Sequence, residues 1–123
     1  GRLRTRQIRP AVRLHPKTGE TIWFNHGLFF HVTSLEPETR DSLLAGLAEE
    51  DLPTNTYYGD GTPFEPEVLD QIRTAFEQET VNFPWQQGDI LMVDNMLVAH
   101  GRQPYTGARK VVVAMAEPFQ QIG

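Results

Sequence analysis

Residues 94–115 read DNMLVAHGRQPYTGARKVVVAM, and how this stretch pairs with itself decides the fold. Met96–His100 and Lys110–Ala116 are apolar runs suited to strands, joined by a loop that holds Pro104 and Gly107. An antiparallel register centred between Pro104 and Tyr105 sets His100 directly opposite Arg109. Cross-strand neighbours share a face, with Cβ atoms about 4.5–5.5 Å apart. An imidazole and a guanidinium would then look into one hollow, while Lys110 points to the other face. A single-residue bulge in the loop would undo that pairing.

Just upstream, Ile90–Val93 is a continuous apolar run, the pattern of a strand buried on both faces. Gln86-Gln87-Gly88-Asp89 before it has turn composition, and Asp94-Asn95 after it are turn formers. Val81, Phe83 and Trp85 alternate with polar residues or proline, so the last third reads as β structure. Two helices are predicted upstream. Pro37 fits a first helical position, with Leu43, Leu44 and Leu47 on one face. Glu49, Glu50 and Asp51 oppose the helix dipole at its end, which predicts fraying there. The second begins near Pro66, with Val68, Leu69, Ile72, Ala75 and Phe76 at the helical period and Glu67, Asp70, Arg73 and Glu77 on the other face. Tyr57-Tyr58-Gly59-Asp60-Gly61 is the loop between them. Nearer the start, a strand at Ala11–Leu14, a turn at His15-Pro16-Lys17-Thr18-Gly19 and a strand at Thr21–Phe24 are expected, with Gly27–Val32 a strand or a buried loop. The sum is one domain, residues 1–123: mostly β, a sandwich or barrel, with a helical insert at about 37–79.

The composition, 39% hydrophobic and 22% charged, is that of a globular chain, and no apolar run is long enough to span a bilayer. Cysteine is absent, which excludes disulfides and thiolate chemistry; a cytoplasmic location is the default expectation. Residues 1–19 hold six basic groups and no acid, whereas the remainder holds five basic and sixteen acidic groups. Without a recognition motif or an aromatic stacking series, that basic arm fits a clasp on an acidic body better than nucleic-acid binding.

The His100–Arg109 pair has a chemical use. Neutral imidazole is a ligand for Fe(II), which oxygenases hold in a facial triad of two His and one carboxylate. Arginine presents a planar, permanently charged fork that grips a carboxylate at two points. A 2-oxo acid chelated to a metal at one end needs such a clamp at the other. On spacing alone, a hydrogen-bonded histidine and an ion-paired arginine fit equally well.

The string from Asp94 to Met115 resembles the closing signature of TauD/TfdA-like oxygenases: an Asp-Asn turn, a His-x-Arg step, an aromatic residue, then an Arg opening the last core strand. His15-Pro16-Lys17-Thr18-Gly19-Glu20 through Trp23-Phe24-Asn25, and Tyr57-Tyr58-Gly59-Asp60-Gly61, resemble its SyrP-like branch, found in nonribosomal peptide and polyketide biosynthesis. The resemblance runs from about Arg4 to Pro118. It implies a double-stranded β-helix (jelly-roll, clavaminate synthase-like) fold, Fe(II) and 2-oxoglutarate as cofactors, and O2-dependent oxidation of an unactivated C–H bond. It further implies His100 as a metal ligand, Arg109 as the 2-oxoglutarate anchor and an amino-acid-type substrate, free or tethered to a carrier protein, in secondary metabolism. Arg102 is a second candidate for cofactor contact, with a surface ion pair as the alternative. Asn25 and Trp23 are candidates for the pocket lining, Trp23 equally for the core. Tyr57, Tyr58 and Asp60 belong either to a lid over the site or to a plain connection between helices.

One element of the family pattern is missing. Its first two ligands come from a His-x-Asp or His-x-Glu step, and none of His15, His26, His31 or His100 has an acid two residues on. His26 and His31, five apart, suit neither one strand face nor one helical turn as substitutes. The expectation is therefore a C-terminal portion of a larger oxygenase domain, inactive alone and completed by an N-terminal half or by self-association. The alternative is a jelly-roll binding module without metal chemistry.

Overall fold

The computed structural model describes residues 3–117. Its first organised unit is a hairpin of β1 (Val12–Leu14) and β2 (Thr21–Trp23), antiparallel, with Arg13 opposite Ile22. The amide of His15 donates to the carbonyl of Glu20 at 2.8 Å, and that of Gly19 to the carbonyl of His15 at 2.9 Å. Gly19 sits at φ +73°, in the left-handed region that glycine enters without a Cβ penalty. Strand alternation turns Ile22 into the core and leaves Trp23 half exposed, so Trp23 is not the core residue its size suggests.

The segment after β2 is helical where a strand or buried loop was expected: α1 spans Gly27–Phe30. Asn25 explains the change. Its side-chain carbonyl accepts the Gly27 amide at 2.8 Å and starts a tight turn. A 3₁₀ turn at Val32–Ser34 follows, with His31 as its N-cap and Val32 buried.

The two longer helices lie where the periodicity puts them. α2 covers Pro37–Gly46 and α3 covers Pro66–Glu79, each with proline in its first turn. α2 stops before the acidic cluster, and Glu49–Asp51 form a separate 3₁₀ turn, so the unfavourable charge at a helix C-terminus is avoided rather than tolerated. Those acids have a partner in the basic arm: Arg4 donates to Asp51 at 2.7 Å and lies 3.6 Å from Glu50. α3 presents Leu69 inward, 3% exposed, with Val68 and Ile72 half-buried. Ala75 and Phe76, expected on the same face, are not buried, Phe76 being 39% exposed. The apolar core of the described residues is small: Ile22, Val32 and Leu69.

Residues 81–117 depart most from expectation. The turns form: Gln86–Asp89 closes with the Asp89 amide on the Gln86 carbonyl at 3.2 Å, and Asp94 heads a second turn. The strands expected at Ile90–Val93, Met96–His100 and Lys110–Ala116, and the β pattern of Val81, Phe83 and Trp85, do not form. Ile90, Met92 and Met115 are more than nine-tenths exposed. Apolar strands gain their stability from neighbours on both edges and cover on both faces, and a lone hairpin is marginal in water. Among the described residues the sheet has two strands, both in the N-terminal hairpin, and neither pairs with this segment.

Candidate functional site

The His15–Glu20 loop docks on the segment that carries His100. His15 is 4% exposed, although it sits in a hairpin turn. Its Nδ1 accepts the backbone amide of Thr18 at 3.1 Å, which places the ring proton on Nε2. Nε2 in turn donates to Asp94 Oδ2 at 3.0 Å, across 79 residues of chain. The other oxygen of Asp94 accepts the Met96 amide at 3.0 Å, and its backbone carbonyl accepts the amides of Leu97 and Val98 at 3.0 and 3.1 Å. The Met96 amide above all, and then the His15 imidazole, hold the Asp94 carboxyl below its ordinary range. Lys17 pairs with Glu117 at the far end of the same segment, which raises the Lys17 pKa and lowers that of Glu117. Asp94 is thus the turn former the sequence predicts. The buried histidine that holds it was missed, and the signal was a histidine opening a Pro-Lys-Thr-Gly turn.

His100 lies six residues beyond Asp94, in irregular and exposed chain. Arg109 is also exposed, its guanidinium 5.2 Å from the centre of the Tyr105 ring, and Arg102 lies 4.8 Å from that centre. The loop between the expected strands is therefore gathered around Tyr105, with two cations on one aromatic ring. His100 and Arg109 are not cross-strand neighbours here, because no ladder forms between their segments, and the shared hollow is absent from the described residues.

The other candidates have structural partners. Asn25 uses both ends of its amide: Nδ2 donates to the Ala11 carbonyl at 2.7 Å and Oδ1 accepts from Gly27. Tyr58 donates to Glu65 at 2.7 Å and packs 4.3 Å from Phe64, while the Tyr57 hydroxyl donates to Glu49 at 2.9 Å. Asp60 accepts the amide and the hydroxyl of Thr62 and closes the loop on itself. His26 is exposed, with ring edges against Phe29 and Phe30. His31 is buried, and Thr33 and Arg73 form a chain with it: Arg73 donates to the Thr33 hydroxyl, which lies 2.8 Å from His31 Nδ1. Burial first, and then the Arg73 charge, push the His31 pKa below 6.5 and so disfavour the charged ring.

The fit to iron can be tested on the donors themselves. Among the described residues no three His, Asp or Glu side chains come together to hold a metal ion. Both ring nitrogens of His15 are engaged. His100 has the right chemistry for one ligand of a facial triad, and Arg109 the right chemistry for a carboxylate clamp. One ligand of three does not make a site, so these residues alone do not fit an iron centre.

Among the described residues, no helix is long and apolar enough to cross a membrane. No solved structure matches the chain. A dapdiamide synthesis protein, DdaC, from Enterobacter agglomerans is 47% identical over 116 residues, which covers 94% of this chain and 35% of the relative. A clavaminate synthase-like protein from Arabidopsis thaliana is 28% identical over 108 residues, covering 88% of this chain and 29% of the relative. The chain spans about a third of the length of these curated relatives. The family model for the taurine catabolism dioxygenase TauD, TfdA family matches residues 1–115, from the basic arm through His100 and Arg109. On that match the chain belongs to the TauD/TfdA dioxygenase family.

Proposed function

We propose that these residues form the C-terminal part of an Fe(II)- and 2-oxoglutarate-dependent oxygenase with a jelly-roll fold, acting as a hydroxylase in a biosynthetic route. The observation that carries this reading is the family match across residues 1–115, within which both His100 and Arg109 fall. The name of the DdaC relative, a synthesis protein for dapdiamide, supports a biosynthetic role. An amino-acid-type substrate, free or carrier-tethered, suits that role.

In this reading His100 gives one imidazole nitrogen to the metal, and the other two ligands come from outside these 123 residues. Arg109 grips the distal carboxylate of 2-oxoglutarate with two parallel N–H···O bonds. Arg102, beside the same Tyr105 ring, is a second cation for that end of the cofactor. Asn25 and Tyr58 stand as candidates for the substrate side. The metal with its 2-oxo acid would supply the activation of O2; the protein's part is to orient the reactants.

Anaerobic titration of the native polypeptide with Fe(II) and 2-oxoglutarate tests the proposal through the visible charge-transfer band of the chelate. The band should form, and Arg109→Ala should raise the 2-oxoglutarate concentration it needs by about 100-fold, the loss expected for a bidentate charged contact. No band at saturating cofactor would overturn the oxygenase reading in favour of a binding module. An unchanged titration in Arg109→Ala would remove Arg109 from the clamp.

A further inference from the structure

We infer that His15 is a positioning residue: through Asp94 it anchors the turn from which the His100-bearing segment departs. The clause on His100 rests on the oxygenase reading, but the anchor does not. Three observations converge on it. His15 is one of two buried polar residues among those described, in a loop whose other members are exposed. Each ring nitrogen has a separate task, Nδ1 organising its own turn through Thr18 and Nε2 reaching Asp94. Asp94 then gathers three successive amides, those of Met96, Leu97 and Val98, and so fixes the direction in which the chain leaves toward His100. Lys17 and Glu117 tie the same loop to the chain beyond Arg109, so the stretch that holds both candidate cofactor residues is fastened at each end to one hairpin loop.

A plain turn former would need only the Nδ1 contact. Nothing in turn formation requires a hydrogen bond to a carboxylate 79 residues away. That contact is a charge-assisted bond to a buried imidazole, the kind that orients a partner. The two roles separate chemically, because asparagine reproduces an acceptor at the Nδ1 position and glutamine places an N–H near the Nε2 position.

The test is hydrogen exchange in the native polypeptide, paired with 2-oxoglutarate titration. His15→Asn should leave the Gly19 amide protected, speed exchange at Met96, Leu97 and Val98 by about tenfold or more, and weaken 2-oxoglutarate binding by a similar factor. His15→Gln should restore most of both. Asp94→Asn should loosen the same three amides, and the double variant His15→Asn, Asp94→Asn should loosen them no further than either single change, as for two ends of one contact. Unchanged exchange at residues 96–98 in His15→Asn, or additive effects in the double variant, would overturn the anchor. Looser amides with unaltered 2-oxoglutarate binding, in a protein where Arg109→Ala does lose it, would overturn the positioning role while leaving the oxygenase reading in place. Failure of the oxygenase reading itself would be seen separately, as no cofactor binding in the unmutated protein.

Discussion

Residues 12–79 and residues 81–117 carry apolar side chains of the same kinds, and the two regions use them in opposite ways. In the first, helical period and hairpin register are local, so α2, α3 and the β1–β2 pair form from neighbours in sequence and bury Ile22, Val32 and Leu69. In the second, Ile90, Met92, Val112 and Met115 remain in solvent, although their patterning is that of core strands. The difference lies in where the partners are. A helix satisfies its backbone within itself, whereas a strand needs a second strand and a sandwich needs a second sheet. The TauD/TfdA relatives are about three times as long as this chain, which makes a fuller sheet the natural partner in the proposed oxygenase.

That contrast can be broken from either side. Leu69→Ala removes the most deeply buried side chain of the first region and should cost about 2–4 kcal/mol, read from the shift of the urea midpoint. A negligible shift would mean that the small core is not what holds this region. Val112→Ala sharpens the other half. At 82% exposure the change should be nearly silent, but if strands complete around it in the native polypeptide it should cost about 1–2 kcal/mol. The proposed oxygenase requires the cost, and a silent substitution would count against strand completion.

A smaller effect should follow pH. The folded chain lowers the His31 pKa below 6.5 through burial and the Arg73 charge. As pH falls through 6.5, the unfolded chain takes up a proton that the folded ring refuses, so stability is full above that value and declines as pH drops toward the lowered folded pKa. His31→Gln should flatten that part of the stability profile. A profile as steep in the variant as in the parent would place the titrating group elsewhere.

What could be read from residues alone follows the same divide. Pro37 and Pro66 marked helix starts because proline fits a first turn, and the turns at His15–Gly19 and Asp94 were legible from their composition. The helical turn at Gly27–Phe30 was not legible, because it depends on a side-chain bond from Asn25 that hydropathy does not encode. The clasp of Arg4 on Asp51 was legible as charge asymmetry but not as a specific pair. His100 and Arg109 were named from a strand register and a family motif, whereas the His15–Asp94 contact had no such signal, because 79 residues separate its ends and no periodicity links them. Asn25, named from the family resemblance, and Tyr58, named from its place in a loop, each also hydrogen-bond within the chain, contacts that composition does not encode.

In the proposed oxygenase His100 and Arg109 would face one another across paired strands, a pairing that the described residues do not form on their own. Cysteine cross-linking addresses it directly, because the chain contains no cysteine of its own. Val98→Cys with Val111→Cys lies in the register that sets His100 opposite Arg109, and facing Cβ atoms at strand-pair distance fall within disulfide reach. This pair should oxidise rapidly, and Val98→Cys with Val112→Cys, whose side chains would leave opposite faces, should oxidise little. Equal oxidation of both pairs, or none of either, would contradict the pairing.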